Sequence, residues 1–433
     1  VEQRTSTGET TTFEYGADGL LARAVNRDAE VVLGRDALGR TLSERVDDRV
    51  TAYAYDPLGR CVRREAPSGL VSLWTYDAAG RPLELCSEAG TLTFTHDAVG
   101  HETKRRLGTD VLLSQTWDAA GRLTLQSVTA GSADAQNLLQ HRAYAYRRDG
   151  YLTEIRELTT GTRRFDLDAT GRVTGVRAHG WTETYAYDQV GNLVQASAPD
   201  HGLAGEREFD GTLVRRADRN TYQHDAQGRL VRRTRKLLNG QTRTWTYTWT
   251  AEDRLVGVCT PDGERWRYAY DPLGRRLRKY RLAEDGTQSD RIDFSWDDTR
   301  LAEQTGPDGK VITWDYEPGT HRPIAQTDHQ RSAVGRDASF LARLAEESSP
   351  DHTAVFQVVV TDAVGMPTEL VTAEGETTWQ SRTMLWGATL VGPVEPSAAN
   401  CPLRFPGQYA DTETGLHYNY FRYYDPETAC YLS

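Results

Sequence analysis

Carboxylates repeated in one fixed setting are the first residues of this chain that could do chemistry. An aromatic residue, Asp, two variable residues, Gly and usually Arg recur, as in Tyr55-Asp56-Pro57-Leu58-Gly59-Arg60 and Tyr270-Asp271-Pro272-Leu273-Gly274-Arg275. The setting pairs Asp36 with Gly39, Asp56 with Gly59, Asp77 with Gly80, Asp97 with Gly100, Asp118 with Gly121, Asp168 with Gly171, Asp188 with Gly191, Asp225 with Gly228 and Asp271 with Gly274. Such aspartates could be catalytic, but repetition at a turn position makes them caps. Asp at the first turn position accepts hydrogen bonds from backbone donors just downstream, and Pro at the second presets φ near about −65°. Gly then takes the left-handed conformation that closes a three-residue hairpin loop with a bulge. The nine aspartates are read as structural turn caps and the nine glycines as the residues that close the turns.

Other reactive side chains give weaker signals. His96 and His224 stand where Tyr or Trp stands in other copies, which makes them half-buried sheet residues. His321, His329 and His352 have no metal-ligand spacing. Five cysteines (Cys61, Cys86, Cys259, Cys401, Cys430) are scattered and odd in number, which fits a chain that folds in a reducing compartment and not a disulfide framework. No Gly-x-Ser-x-Gly elbow, His-Glu-x-x-His or phosphate-binding Gly-Lys-Ser/Thr occurs. The expectation is a non-enzymatic chain with no catalytic residue, no metal site and no cofactor.

Charge and hydropathy exclude further classes. A net charge of −11 argues against a nucleic-acid binder, because phosphate binding needs an excess of Lys and Arg. The arginines after the turn glycines are interleaved with acidic residues and read as a solvated face. No stretch is long and apolar enough to span a bilayer, and no basic, apolar leader opens the chain. Val1 stands in mid-pattern, so further sequence is expected upstream.

The elements that position the turns follow from their spacing. Most steps between turn glycines are 20 or 21 residues, the length of two short strands with two connections. The strands alternate: Trp266, Tyr268 and Tyr270 share one face while Arg265 and Arg267 share the other. Each repeat is therefore a β-hairpin with an aromatic face, stabilised by stacking on its neighbours. Loop insertions are expected around Gly131–Asn137 and Pro199–Gly211. A worn copy at Trp249-Thr250-Ala251-Glu252-Asp253-Arg254 puts Asp253 in the glycine position, which Asp tolerates better than most residues. One short helix is expected over Ala338–Glu347. Aromatic stripes could be sugar platforms, but a hairpin strip must bury one face, and aromatics suit that core. A propeller competes as a fold, yet the repeat unit is one hairpin without alternation between copies. That favours a continuous strip.

From about Thr353 the pattern changes. Val355-Phe356-Gln357-Val358-Val359-Val360 reads as a buried strand, followed by Thr361-Asp362 and Pro367-Thr368-Glu369. The end is dense in aromatics: Arg404-Phe405-Pro406-Gly407-Gln408-Tyr409, Glu413-Thr414-Gly415-Leu416-His417-Tyr418-Asn419 and Arg422-Tyr423-Tyr424-Asp425-Pro426. On these residues, with the repeats over roughly Phe13 to Gly319, the chain resembles bacterial Rhs proteins of the YD-repeat family, whose relatives include the C components of insecticidal toxin complexes and the teneurins. The terminal match rests on Arg404, Phe405, Gly407, Gln408, Tyr409, Gly415, Leu416, Tyr418, Asn419, Arg422, Tyr424, Asp425 and Pro426.

The resemblance implies an all-β fold in which antiparallel hairpins join into one spiralling sheet, a partial or complete hollow shell with a C-terminal plug. It implies three regions: hairpin repeats over 1–326, an irregular insertion over 327–353 and an Rhs core over 354–433. It implies an encapsulating scaffold that houses a C-terminal toxin until delivery, with an aspartyl self-cleavage site in the core. Here Val360 replaces the family's His, and Ala429 and Cys430 replace a Gly-Arg pair. The self-cleavage carboxylates belong just beyond Ser433, so this chain is expected to lack both the toxin and the complete site. Arg422 and Asp425 do not match the catalytic Asp-Pro pair, and a structural role in the plug is the preferred reading. Expected partners are the toxin cargo and delivery-system or chaperone proteins, with no nucleic acid and no membrane span. Folding in the bacterial cytoplasm, then export by a specialised secretion system without a cleavable signal, is implied. The alternative is a cell-surface carbohydrate- or receptor-binding adhesion module built from the same repeats.

Overall fold

A single hairpin is marginal in water and gains stability only by sharing edges with neighbours. This chain shares them in strict sequence order. The computed structural model describes residues 2–6, 9–132, 136–198, 205–330, 354–390 and 399–432. Among these, 34 strands form one sheet, from β1 (Glu2–Ser6) to β34 (Thr377–Gln380). Each strand pairs antiparallel with the next, as β6 (Arg49–Tyr55) does with β7 (Cys61–Glu65) and β26 (Arg265–Tyr270) with β27 (Arg276–Leu282). No pairing joins β34 back to β1 among the described residues, so the strip is open and not a closed barrel. The fold is all-β, as the repeat spacing predicts. The predicted helix over 338–347 lies outside the described residues, as do parts of both predicted loop insertions.

The strip also runs past residue 354. β31 (Pro323–Gln330) pairs with β32 (Val355–Thr361), which pairs with β33 (Pro367–Thr372). β33 pairs with β34, and only then does the chain leave the sheet, to make a separate four-stranded sheet from β35 (Tyr409–Asp411), β36 (Leu416–Asn419), β37 (Arg422–Asp425) and β38 (Cys430–Tyr431).

Alternation decides what each face meets. In β8 (Val71–Tyr76) and β12 (Val111–Trp117) buried and more open residues alternate, as a half-buried strand requires. β32 and β33 are buried almost throughout. The reason is three layers of sheet. The strip curls until Trp74, Leu92, Phe94 and Leu113 pack against Ile324, Phe356, Val358 and Val360. The opposite face of that middle layer, carrying Trp314, Val359 and Leu370, packs with Leu403, Tyr409 and Leu416 of the terminal segment. Contact between turns of the curl is close at Gly90, where a Cβ would stand 2.7 Å from the Phe356 ring. Polar side chains join the layers too. Arg64 donates to Trp314 O and Asp315 Oδ1 at 2.8 Å, Arg105 donates to Val359 O, and buried Arg142 pairs with Glu369.

Candidate functional site

The repeated turn is a closed hydrogen-bond unit. In all nine copies one carboxylate oxygen of the Asp accepts the amide four residues on, at 2.8–3.0 Å. The other oxygen accepts the side chain of that same residue. Seven times this is an Arg Nε at 2.6–2.7 Å: Arg40, Arg60, Arg81, Arg122, Arg172, Arg229 and Arg275. His101 and Asn192 do the same work for Asp97 and Asp188. The Arg81 amide and guanidinium hold the Asp77 carboxyl below its usual range. Arg122, side chain first and then amide, does so for Asp118. All nine glycines have φ between +73° and +102°. Asp253 takes φ +59° in the worn copy.

Each of the seven arginines ties its unit to the turn that follows. Arg40 Nη1 donates to Asp56 O at 3.2 Å, Arg60 Nη1 to Asp77 O at 3.0 Å and Arg81 Nη1 to Asp97 O at 2.7 Å. The same guanidinium lies over the next aromatic, Arg40 on Tyr55 at 5.1 Å and Arg60 on Tyr76 at 4.9 Å. That aromatic reaches back across the sheet: Tyr55 Oη donates to Thr41 O at 2.9 Å, Tyr76 Oη to Cys61 O at 2.9 Å and Trp117 Nε1 to Glu102 O at 2.9 Å. Arginines that read as a solvated face are therefore the rungs of a ladder between turns. The aspartates are engaged at both oxygens, which leaves no carboxylate lone for catalysis in this row.

The turn geometry sets an expected contrast between two substitutions. An added Cβ at Gly59 would meet only Arg40 Nη1, in ordinary contact at 4.0 Å, so Gly59→Ala costs only the left-handed backbone penalty, about 1–2 kcal/mol. At Gly274 the added Cβ would also stand 2.1 Å from the Arg254 guanidinium, which donates to Gly274 O at 2.8 Å. Gly274→Ala is therefore expected to lose more than Gly59→Ala in urea unfolding. Two unchanged midpoints would remove the assignment.

The bulge that follows each turn creates the second feature. Register shifts at Tyr270, which pairs with Arg276, while Tyr268 pairs with Lys279. Arg276 and Lys279 thereby come to the same face as Tyr268 and Tyr270. The terminal sheet covers that face. Arg276 Nη1 and Nη2 donate to Asp411 Oδ2 and Oδ1 at 2.6 and 3.0 Å, and Lys279 Nζ donates to Asp411 Oδ1 at 3.0 Å and Glu413 Oε2 at 2.9 Å. All four side chains are 3% exposed or less. Burial pushes the Asp411 carboxyl up, but Arg276 and Lys279 together outweigh it and hold it below its usual range. The Arg276 guanidinium is ringed by Tyr268, Phe294, Tyr409 and Tyr418 at 4.2–5.4 Å. Tyr268 Oη donates to Glu413 Oε1 at 2.7 Å, and the Tyr270 and Tyr423 hydroxyls are 2.7 Å apart. The aromatic stripe is core beneath the terminal sheet.

The terminal motif residues divide between this seat and its surroundings. Tyr409 packs edge-on to Phe294 at 5.1 Å, the Arg276 amide donates to Tyr418 Oη at 3.0 Å, and Leu416 and Gln408 are buried. Tyr424 Oη donates to Trp386 O at 2.9 Å and Asn419 Nδ2 to Tyr431 Oη at 2.7 Å. Gly407 and Gly415 have φ of +82° and +72°. Ala429 adopts φ +59°, the conformation that the family's Gly would take freely. Asp425, fully buried beside buried Pro426, accepts Tyr222 Oη at 3.1 Å and the Glu427 amide at 2.9 Å. Arg422 is exposed and lies over Tyr431 at 3.7 Å, with no bond to Asp425 among the described residues. Phe405 lines an apolar cavity with Met366 and Met384. Arg404 donates to Cys401 O at 3.0 Å and Leu403 O at 2.8 Å. Sequence reasoning missed Arg276, Lys279, Asp411 and Glu413. Their signal was a pair of cations whose common face appears only once the bulge is counted.

Comparisons with known proteins agree with this geometry. The model of the RHS Repeat family matches residues 55–92 and 249–287. The chain is 32% identical over 306 residues to double-stranded DNA deaminase toxin A of Burkholderia cenocepacia, covering 67% of this chain and 20% of that protein. It is 32% identical over 302 residues to the probable deoxyribonuclease RhsA of Dickeya dadantii, covering 68% and 19%. It is 30% identical over 337 residues to toxin protein Tse5 of Pseudomonas aeruginosa, covering 67% and 24%. The chain thus spans about a fifth of the length of the first two relatives in its match to them. Among solved structures, a Photorhabdus luminescens Tc holotoxin pore superposes with a TM-score of 0.66 at 15% identity, over 99% of this chain and 24% of that one. A TcdB2–TccC3 crystal structure gives 0.62 at 15% identity, over 98% and 24%. That likeness is one of fold.

Hairpins tied turn to turn and covered by a terminal sheet held through buried charge define a β-hairpin repeat scaffold, and relatives that match it in sequence bear toxin names. The chain belongs to the Rhs, or YD-repeat, family.

Proposed function

We propose that this chain is wall and end closure of a shell that encloses a toxin polypeptide until delivery. The observation that carries the reading is the seating of the terminal sheet on the aromatic face through Arg276, Lys279, Asp411 and Glu413. A lid held by buried charges closes one side of the strip without covalent bonds. The relatives bear toxin names, which supports a cargo of that class. The cavities described within the chain reach about 670 Å³. A folded domain of 100 residues has a radius of gyration of about 13 Å, a volume on the order of 10⁴ Å³. In this proposal the chain supplies part of the wall, since the matched stretch is only about a fifth of the first relatives. Folding in the bacterial cytoplasm before export belongs to the same proposal. The adhesion alternative is disfavoured because Tyr268 and Tyr270 are buried.

The test is protease access in the protein carrying its cargo. Trypsin should leave the cargo uncut in the intact protein and cut it after Asp411→Ala unseats the terminal sheet. Equal digestion of the cargo in both proteins would overturn enclosure.

A further inference from the structure

Asp362 stands in the same turn as the nine caps, in Thr361-Asp362-Ala363-Val364-Gly365-Met366. Its Oδ1 accepts the Val364 amide at 3.0 Å and the Met366 amide at 2.9 Å, and Gly365 has φ +92°. The difference lies four residues after the Asp. Where the nine turns place Arg, His101 or Asn192 against the second carboxylate oxygen, this turn has Met366. Asp362 Oδ2 has no hydrogen-bond partner among the described residues.

Asp362 also lines a cavity of about 340 Å³. Ile155, Phe165, Val176, Met366, Met384 and Phe405 give it apolar walls. Its other carboxylates are engaged within the protein, while the lining Arg163 keeps its Nε without a hydrogen-bond partner among the described residues. Glu157 accepts Arg142 and lies 3.5 Å from Arg163, and Glu183 accepts Trp181 Nε1 and the Leu385 amide at 3.0 Å each. Arg382 donates to Thr159 O at 3.4 Å. Among the lining carboxylates Asp362 alone keeps an oxygen without a donor. Burial pushes its carboxyl above the usual range against the pull of the two amides and of the Arg142 and Arg163 charges, whereas Asp77 and Asp118 are held below theirs. Asp362 is half-buried, and Arg142 and Arg163 act on it only through their charge, so a cation within hydrogen-bond distance of its open oxygen would be a closer counter-charge than either. An apolar cavity of this size with one convergent polar group has the character of a ligand site.

We propose that this cavity binds an organic cation, an ammonium, amidinium or guanidinium head on an apolar body, with Asp362 Oδ2 as its counter-ion. The ligand head takes the place that Arg occupies in the other turns, and the apolar body lies against the two methionines. The site stands independently of the cargo reading, and its test involves no cargo.

The chain has two methionines, Met366 and Met384, and both line the cavity. Methyl-¹³C methionine labelling of the full chain therefore places both NMR signals at the site. Benzamidine is expected to shift both signals saturably, about tenfold more tightly than the neutral benzamide, the ratio that one modest charge contact supplies. Asp362→Asn keeps the Oδ1 acceptor of the turn and should abolish that preference. Met366→Arg supplies the cation from the chain itself and should block binding, read at Met384. A short acetylated Leu-Arg-Leu amide separates the sources. A response to this peptide with benzamidine silent assigns the head to a polypeptide side chain, and the reverse assigns it to a small amine. Absence of a saturable shift with either probe, or benzamidine binding undiminished in Asp362→Asn, overturns the proposal.

Discussion

Asp411→Ala is expected to lower the unfolding free energy by roughly 3–5 kcal/mol, the range for removing one partner of a buried ion pair. The loss is large because two cations share this carboxylate. Arg276 and Lys279 are 1% and 3% exposed, and each donates to Asp411 within 3.0 Å. Without Asp411, Lys279 keeps Glu413, while Arg276 keeps only its ring of aromatic faces. Cation–π contact offsets part of the penalty, but about 2 kcal/mol per desolvated contact at most is not a carboxylate. The control is the double substitution Lys279→Met with Glu413→Gln, which removes one cation and one anion together and leaves the Arg276–Asp411 pair. Its loss should be clearly smaller than that of Asp411→Ala, because no unpaired charge stays buried. Both are read from denaturant midpoints at equal slope. A loss below about 1 kcal/mol for Asp411→Ala would place the cluster among screened surface pairs.

Much of this fold was legible because one short phrase is repeated. Asp56 with Gly59 reads as a turn in isolation, and its recurrence at nearly constant spacing converts a turn into an array. The phrase does not say how copies touch. The Arg after each Gly reads as solvated from its neighbours in sequence, whereas Arg60 binds Asp56 and then Asp77 O, a turn later in the strip. That contact depends on the spacing of alternate strands, which single residues do not encode. The buried run at 355–360 was legible from its apolar side chains. Burial on both faces was not, because it follows from the curl that brings Phe94 and Leu113 over Phe356 and Val358 of β32. Glu413 was hidden in a motif whose aromatic residues drew the eye, and Asp411 lay between two such motifs. Their cationic partners lie over 130 positions earlier in the chain.

Acidification is expected to weaken the same seat through His417. Burial first, and then the charge of Arg404, push this imidazole down to about 3 from an ordinary value of 6.5. It sits in β36 of the terminal sheet, with its Nδ1 3.0 Å from Gln408 Oε1. The sign follows from proton counts. Above about pH 6.5 His417 is neutral in both folded and unfolded chains, and stability does not change with pH on its account. Between 6.5 and about 3 the unfolded chain takes up a proton that the folded chain refuses, so stability falls as pH falls. The slope from this one group is about 1.4 kcal/mol per pH unit in the middle of that window. Other groups titrate over the same range, so the quantity to measure is the stability difference between the protein and His417→Gln. The variant should be less stable at about pH 8 because the imidazole packing is lost, and the gap should close as pH falls below about 6. Parallel pH profiles would mean that His417 takes up its proton in the folded state as readily as in the unfolded one. That result would require water to reach the imidazole in the folded chain, removing the burial that shifts it most and screening the Arg404 charge as well.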